Sequence, residues 1–190
     1  MKVLGITGGM GSGKSTVSQL LKINGMPVYN TDIVGAQLSN FSPVIRRQLT
    51  ARYGDELYQT GVLNRPMLAT LIFNRKEDMK FVNSVIHPEV QKHFEDWKTQ
   101  HADKAWTGIE SAILFESGFH LLVDQILLVT APLELRIERV RKRDGLDRET
   151  ILQRIRHQLP DEQKAFLSEY VLINDNQQAI IPQICEMKIF

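Results

Sequence analysis

Residues 3–21 read VLGITGGMGSGKSTVSQLL. A short apolar run gives way to glycines, then to Lys14, Ser15 and Thr16, and then to a new apolar spacing. Gly8, four residues, Gly13, Lys14 and Ser15 complete the pattern of a phosphate-binding loop. The spacing has a chemical reason. A triphosphate needs many donors around a small curved volume, and glycines let backbone N–H groups point inward with no side chain in the way. Gly11, Ser12 and Gly13 are the backbone donors to ATP on this reading. A helix beginning near Lys14 adds its free N–H groups and the positive end of its dipole. Lys14 reaches the outer phosphates, the Ser15 hydroxyl can bind Mg²⁺, and Thr16 can contact the inner phosphates. The alternative is a glycine-rich turn with no ligand. A chance match to the fixed positions somewhere in such a chain is below roughly one in a hundred at average glycine content.

The flanking sequence supplies the context the loop needs. KVLGIT is a short apolar run that suits a buried parallel strand. KSTVSQLLKING carries Val17, Leu20, Leu21 and Ile23 at helical spacing and ends at Gly25, a C-terminal capping residue. MPVYNTD reads as a second strand ending in an acid. Strand, helix and strand make a right-handed βαβ unit, so the sheet is parallel. From about Thr31 to Gln100 the pattern is helical, with Pro43, Pro66 and Pro88 each expected at a helix start or turn. WTGIESAILFE and DQILLVTA return to strand. PLELRIERVRKRDG is a helix opened by Pro132 and closed by Gly145, two helices flank Pro160, YVLIND is a last strand, and the tail from Gln177 is helical. The expected architecture is an α/β P-loop NTPase fold, a five-stranded parallel sheet flanked by helices. Its core comprises 1–30 and 104–190, and a helical insertion covers about 31–103.

Composition narrows the partners. The chain has 190 residues, enough for one α/β domain with an inserted subdomain, and is 43% apolar and 24% charged. A net charge of +1 is too balanced for an electrostatic nucleic-acid binder. Cys185 is the single cysteine, so no disulfide framework forms within a monomer. The glycines of MKVLGITGG interrupt its apolar run too early for a signal peptide. No apolar run approaches the roughly 18 residues that span a bilayer. These features point to a cytoplasmic protein without nucleic-acid or membrane partners.

Three features bear on the reaction. No Asn-Lys pair occurs, so the guanine signature of a GTP switch is missing. Arg136, Arg139 and Arg143 fall at i, i+3 and i+7 on one helix face, and guanidinium groups stabilise charge on a transferring phosphoryl group. The plainer alternative is a solvated basic helix paired with Glu134 and Glu138. Asp32 follows the second strand, at the strand end where ligands gather in parallel sheets. There it is either a base for an attacking hydroxyl or an N-cap for the next helix.

The chain resembles the dephospho-coenzyme A kinases, P-loop kinases of the nucleoside-kinase type. The resemblance spans almost the whole sequence: GITGGMGSGKSTV, VYNTDIVGAQ, GVLNRPMLATLIF, VNSVIHPEV, AILFESGF, VDQILLVTAP, RIERVRKRDG, RIRHQ and YVLINDN, in that order. It implies ATP-dependent phosphorylation of the ribose 3′-hydroxyl of dephospho-coenzyme A, the last step of coenzyme A synthesis, with Mg²⁺ accompanying ATP. It further implies Asp32 as the base and Arg65, His87 and Glu116 lining or supporting the acceptor site. Arg139 and Arg143 become arginines of a mobile lid over about 136–160, and Asn174 lies near the adenine. A monomer or weak homo-oligomer is expected. Five positions depart from the family pattern: Asn30 for an acid, Ala112 for a proline, Arg136 for glutamine, and Ser168-Glu169 for Ala-Asp.

Each site residue also has a structural alternative. His87-Pro88 can be a helix-start turn, Arg65 a turn-capping arginine, and Glu116 a cap near Ser117-Gly118. Glu110 sits either near Mg²⁺ through water or at a sheet edge. Cys185, Trp97 and Trp106 read as packing residues. The loop assignment is testable at one atom. Lys14→Ala removes a point charge at the outer phosphates and should leave a folded protein without phosphotransfer. Wild-type turnover in that variant, measured as ADP release, overturns the assignment.

Overall fold

In a computed structural model, residues 1–72, 75–187 and 189 are described. They form two compact units, one from 1–30 and 101–190, the other from 31–100. Phe73, the last residue of GVLNRPMLATLIF, lies outside the described residues.

The first unit is built on β1 (Lys2–Thr7), which is apolar and buried on both faces. That is the condition for a central parallel strand. β3 (Trp106–Glu110) and β4 (Gln125–Thr130) flank it, β2 (Val28–Asn30) lies outside β3, and β5 (Tyr170–Ile173) lies outside β4. All four pairings are parallel. The register sets Ile6 opposite Glu110 on one side and Leu127 on the other, so the chain leaves β1 for the glycine loop at the carboxyl edge of the sheet.

Helix α1 (Lys14–Ile23) turns its apolar stripe onto the sheet. Val17 and Leu21 join Leu4, Ile6, Val28, Leu127, Val129 and Leu172 in one core cluster. The helix ends as Gly25 requires. Gly25 takes φ 87°, its N–H donates to Lys22 O, and Met26 N–H reaches back to Leu21 O, the paired bonds of a Schellman motif. α6 (Leu133–Asp144), α7 (Arg148–Arg156), α8 (Asp161–Phe166) and α9 (Ile180–Glu186) complete this unit. α6 and α7 enclose a small separate core of Ile137, Val140 and Ile151, which Met10 of the glycine loop also joins.

The second unit is helical: α2 (Thr31–Phe41), α3 (Pro43–Tyr53), α4 (Arg65–Ile72) and α5 (Lys76–Thr99). Ile45, Leu49, Leu57, Tyr58, Leu63, Leu68, Val82 and Val85 make its core. Ser42 caps α3 by accepting from Ile45 N–H, with Pro43 behind it at the first helical position. The Ser42 hydroxyl also donates to Glu89 Oε2 at 2.7 Å.

Several expectations need correction. Pro88 lies inside α5 and not at a start or turn. It removes one backbone bond, but Val82 and Val85 before it and Val90 and Phe94 after it are buried, and that packing carries the helix through. Cys185 is exposed, because Ile184 is the residue that α9 turns inward. The tail helix starts at Ile180, after Asp175 Oδ1 accepts from the N–H groups of Gln177 and Gln178 in a turn. Glu110 is on no sheet edge, since β2 and β1 lie on either side of β3. Trp106 packs against the core of the first unit, and Trp97 stacks on Phe94. Among the described residues, no helix is long and apolar enough to cross a membrane.

Phe94 is fully buried. Phe94→Ala should cost about 3–5 kcal/mol of unfolding free energy in a denaturant titration. A loss below about 1 kcal/mol, the size of an ordinary surface change, would contradict that burial.

Candidate active site

The glycine loop is shaped from behind as well as from within. Gly13, at φ 95°, begins the turn into α1, and a Cβ there would collide with the amide nitrogen of Asn174. Asn174 Nδ2 donates to Ser12 O at 2.9 Å, so its place is fixed by the loop it crowds. Gly9 meets a second obstacle, because a Cβ on it would overlap the Arg136 guanidinium. The glycines therefore answer two needs: donors inward, and close packing outward. Lys14 Nζ donates to Gly8 O at 2.8 Å and Gly9 O at 3.2 Å, which holds its charge across the loop. Ser15 and Thr16 are exposed in the first turn of α1. No acid occupies that turn and, among the described residues, no side chain caps it, so its amides keep their attraction for an anion.

The arginines divide. Arg139 lies on the loop, with Nη1 3.4 Å from Gly11 O and 3.5 Å from Ser12 O. Its Nη2 donates to Asn174 Oδ1 at 3.2 Å and Asn176 Oδ1 at 2.6 Å. Two expected site residues, Arg139 and Asn174, thus meet over Ser12. Arg143 grips Asp144 with Nε and Nη2 at 2.7 and 2.8 Å, and its side chain is 63% exposed. Arg136 departs from the expected single lid face. It is buried, pairs with Asp161 Oδ2 at 3.0 Å and donates from Nε to Met10 O at 2.9 Å, because a buried guanidinium needs partners for its charge and its donors.

Glu116 does not cap the following short helix Phe119–Leu122, whose cap position is Gly118 and carries no side-chain hydrogen bond. Glu116 Oε1 instead accepts from Leu159 N–H at 2.7 Å and lies 3.9 Å from Lys164 Nζ. Lys164 is fully buried and donates to Ala112 O at 3.2 Å. Burial pushes its ammonium pKa down, while Glu116 and Asp161 pull it up.

The other expected site residues belong to the helical unit. α2 begins at Thr31, which places Asp32 inside its first turn and not at the cap. A carboxylate there faces the positive end of the helix dipole. Arg65 opens α4, is exposed, and donates from Nη2 to Ala36 O at 2.8 Å. His87 is half-buried on α5, and burial pushes its pKa down, which favours the neutral imidazole. Among the described residues, no three His, Cys, Asp or Glu side chains group as a metal cage.

A model of the dephospho-CoA kinase family matches residues 2–179. A dephospho-CoA kinase from Bacteroides fragilis is 46% identical over 187 residues, 98% of this chain and 91% of that protein. The chain belongs to the dephospho-CoA kinase family. As a member it is a kinase that catalyses the final step of coenzyme A synthesis. A crystal structure from Thermus thermophilus superposes with TM-score 0.81 at 34% identity, covering 98% of this chain and 95% of that one. Shikimate kinase from Acinetobacter baumannii, at TM-score 0.54 and 16% identity over 100% of this chain and 96% of its own, shares the P-loop kinase fold.

Gln158, Asp161 and Asn176 also contact the loop or its arginines, and their local sequence does not single them out. Gln158 was visible only as the last letter of the family motif RIRHQ. Asp161 looked like any acid after a helix-starting proline.

The lowered pKa of His87 has a consequence for stability. The unfolded chain takes up a proton on this histidine as pH falls through 6.5, and the folded chain does so only at lower pH. The stability from neutral His87 is thus complete above pH 6.5 and declines as pH falls from there towards the folded pKa. Denaturant titrations between pH 8 and pH 5 should show a shallower acid loss in His87→Gln than in the wild type. Parallel curves would exclude this linkage.

Proposed function

We propose that the chain transfers the γ-phosphoryl group of ATP in line to the ribose 3′-hydroxyl of dephospho-coenzyme A. The observation that carries this reading is the glycine loop with Lys14 across it and Arg139 joined to Asn174 on it. The amides of Gly11, Ser12 and Gly13, with the Ser15 and Thr16 hydroxyls, hold the phosphates. Lys14 binds the outer ones. Arg139 and Arg143 meet the charge that develops as transfer proceeds, Arg143 by exchanging Asp144 for phosphate oxygen. Ser15 is the protein ligand to Mg²⁺, which neutralises phosphate charge when bound.

On the acceptor side, Asp32 orients and deprotonates the 3′-hydroxyl, and Arg65, His87 and Glu116 hold the acceptor. The helical unit serves as the acceptor-binding subdomain. The segment over about 136–160 serves as a lid that excludes water, the main competing acceptor. Positioning and charge stabilisation supply most of the rate, so no covalent phosphoenzyme is needed. The protein works in the cytoplasm, as a monomer or weak homo-oligomer, without nucleic acid.

Incubation with ATP, Mg²⁺ and dephospho-coenzyme A should give a product heavier by one phosphoryl group, located at the 3′ position by mass fragmentation. A product phosphorylated elsewhere, or none, overturns the reading. Asp32→Asn isolates the base, because it keeps the size of the side chain. Turnover should fall on the order of a hundredfold or more, while ATP affinity stays near wild type. The lost helix-dipole interaction should cost no more than about 1 kcal/mol of stability. Near-normal turnover in this variant removes Asp32 from the mechanism.

A further inference from the structure

The backbone of Met10 is held on both sides of its α-carbon. Its N–H donates to Gln158 Oε1 at 2.9 Å, and its carbonyl accepts from Arg136 Nε at 2.9 Å. Both partners are remote in sequence, and they sit at opposite ends of the segment expected to be the lid. Gln158 Nε2 continues to Ala112 O at 3.4 Å. The Arg136 guanidinium lies where a Gly9 side chain would be, and the Arg136 backbone lies where a Gly11 side chain would be. Asp161 Oδ2 accepts from Arg136 Nη1 and from Thr130 Oγ1, both at 3.0 Å, which ties the arginine to the end of β4. The Met10 side chain is packed as well, against the small core between α6 and α7.

Two physical points give this arrangement meaning. A loop with glycines at positions 8, 9, 11 and 13 has a large conformational entropy, so one fixed shape must be imposed from outside. A buried ion pair is weak support for stability, because desolvation offsets its Coulomb gain. Arg136 and Asp161, with side chains 8% and 20% exposed, are therefore better suited to setting the loop's shape than to stabilising the fold. Met10, with both its N–H and C=O engaged by protein groups, contributes shape and not a phosphate bond.

We propose that Arg136, Asp161 and Gln158 are positioning residues that hold the phosphate loop in its nucleotide-binding shape by clamping the two peptide groups that flank the Met10 α-carbon. Because the clamp comes from both ends of the 136–158 segment, loop shape and the placement of Arg139 are set together. The proposal rests on the reading of the loop as the ATP site, so the wild type is titrated with ATP first. Absence of binding there defeats that reading and not the clamp.

The decisive variant is Arg136→Met with Asp161→Leu, which replaces the buried pair by apolar groups and leaves Glu116 beside the buried Lys164. It should melt near the wild type, yet its Kd for ATP should rise about tenfold or more, with the KM for the acceptor unchanged. Arg136→Gln with Asp161→Leu returns one donor to Met10 O and should recover most of the affinity. A purely structural role would shift melting instead and would not distinguish Met from Gln. Gln158→Leu removes the other side of the clamp and should weaken ATP in the same direction, whereas Glu134→Gln on the exposed face of α6 should leave it unchanged. Wild-type ATP affinity in the folded apolar double variant overturns the proposal. If that variant does not fold, Gln158→Leu decides: a raised Kd supports the clamp and an unchanged one overturns it.

Discussion

A loop that turns its amides inward must be held from behind. That constraint organises the α/β unit. Glycines at 8, 9, 11 and 13 make the inward turn possible, and the same absence of side chains lets Arg136 and Asn174 approach the outside of the loop. β1 delivers the chain to the carboxyl edge of the sheet, α1 carries it away, and the supports come from α6, α8 and the segment after β5. The sheet order places β4 beside β1 and β5 beside β4, so the ends of these strands bring their following segments to the loop.

The charged groups of this unit fall into two sets with different physics. Arg136, Asp161 and Lys164 are buried or nearly so: the two cations are held by carboxylates and carbonyls, and Asp161 by the Arg136 guanidinium and the Thr130 hydroxyl. Changing one partner alone leaves a buried charge exposed to a low dielectric, which is costly. Arg143–Asp144 and Arg148–Glu134 are exposed pairs, worth little to the fold because water screens them. An exposed arginine can exchange its partner for a phosphate oxygen at small cost. A buried one cannot, and this separates Arg136 from Arg143 although they share one helix.

The helical unit shows how packing overrides local preference. His87-Pro88 has every local mark of a helix boundary, yet α5 passes through it because burial lies on both sides. Asp32 has the composition of a cap, but α2 starts one residue earlier and takes it into the first turn. Element boundaries depend on a residue or two of helix start, and that is decided by contacts that local propensity does not contain.

By itself the sequence determined the phosphate loop, the parallel sheet and the family. Each rests on local chemistry: Gly8 to Ser15 at fixed spacing, apolar runs bounded by glycine, and motifs in a fixed order. Asn174 and Arg139 were named there as site residues, but that they meet over Ser12 required the strand order that joins residues 35 apart in the chain. Arg136 was legible as one of three arginines on a helix face. Only the tertiary structure decided that it turns inward, because helical spacing says which residues share a face and nothing about what that face meets. Its partners Met10 and Asp161 lie 126 and 25 residues away, and a buried guanidinium is defined by the groups that satisfy it.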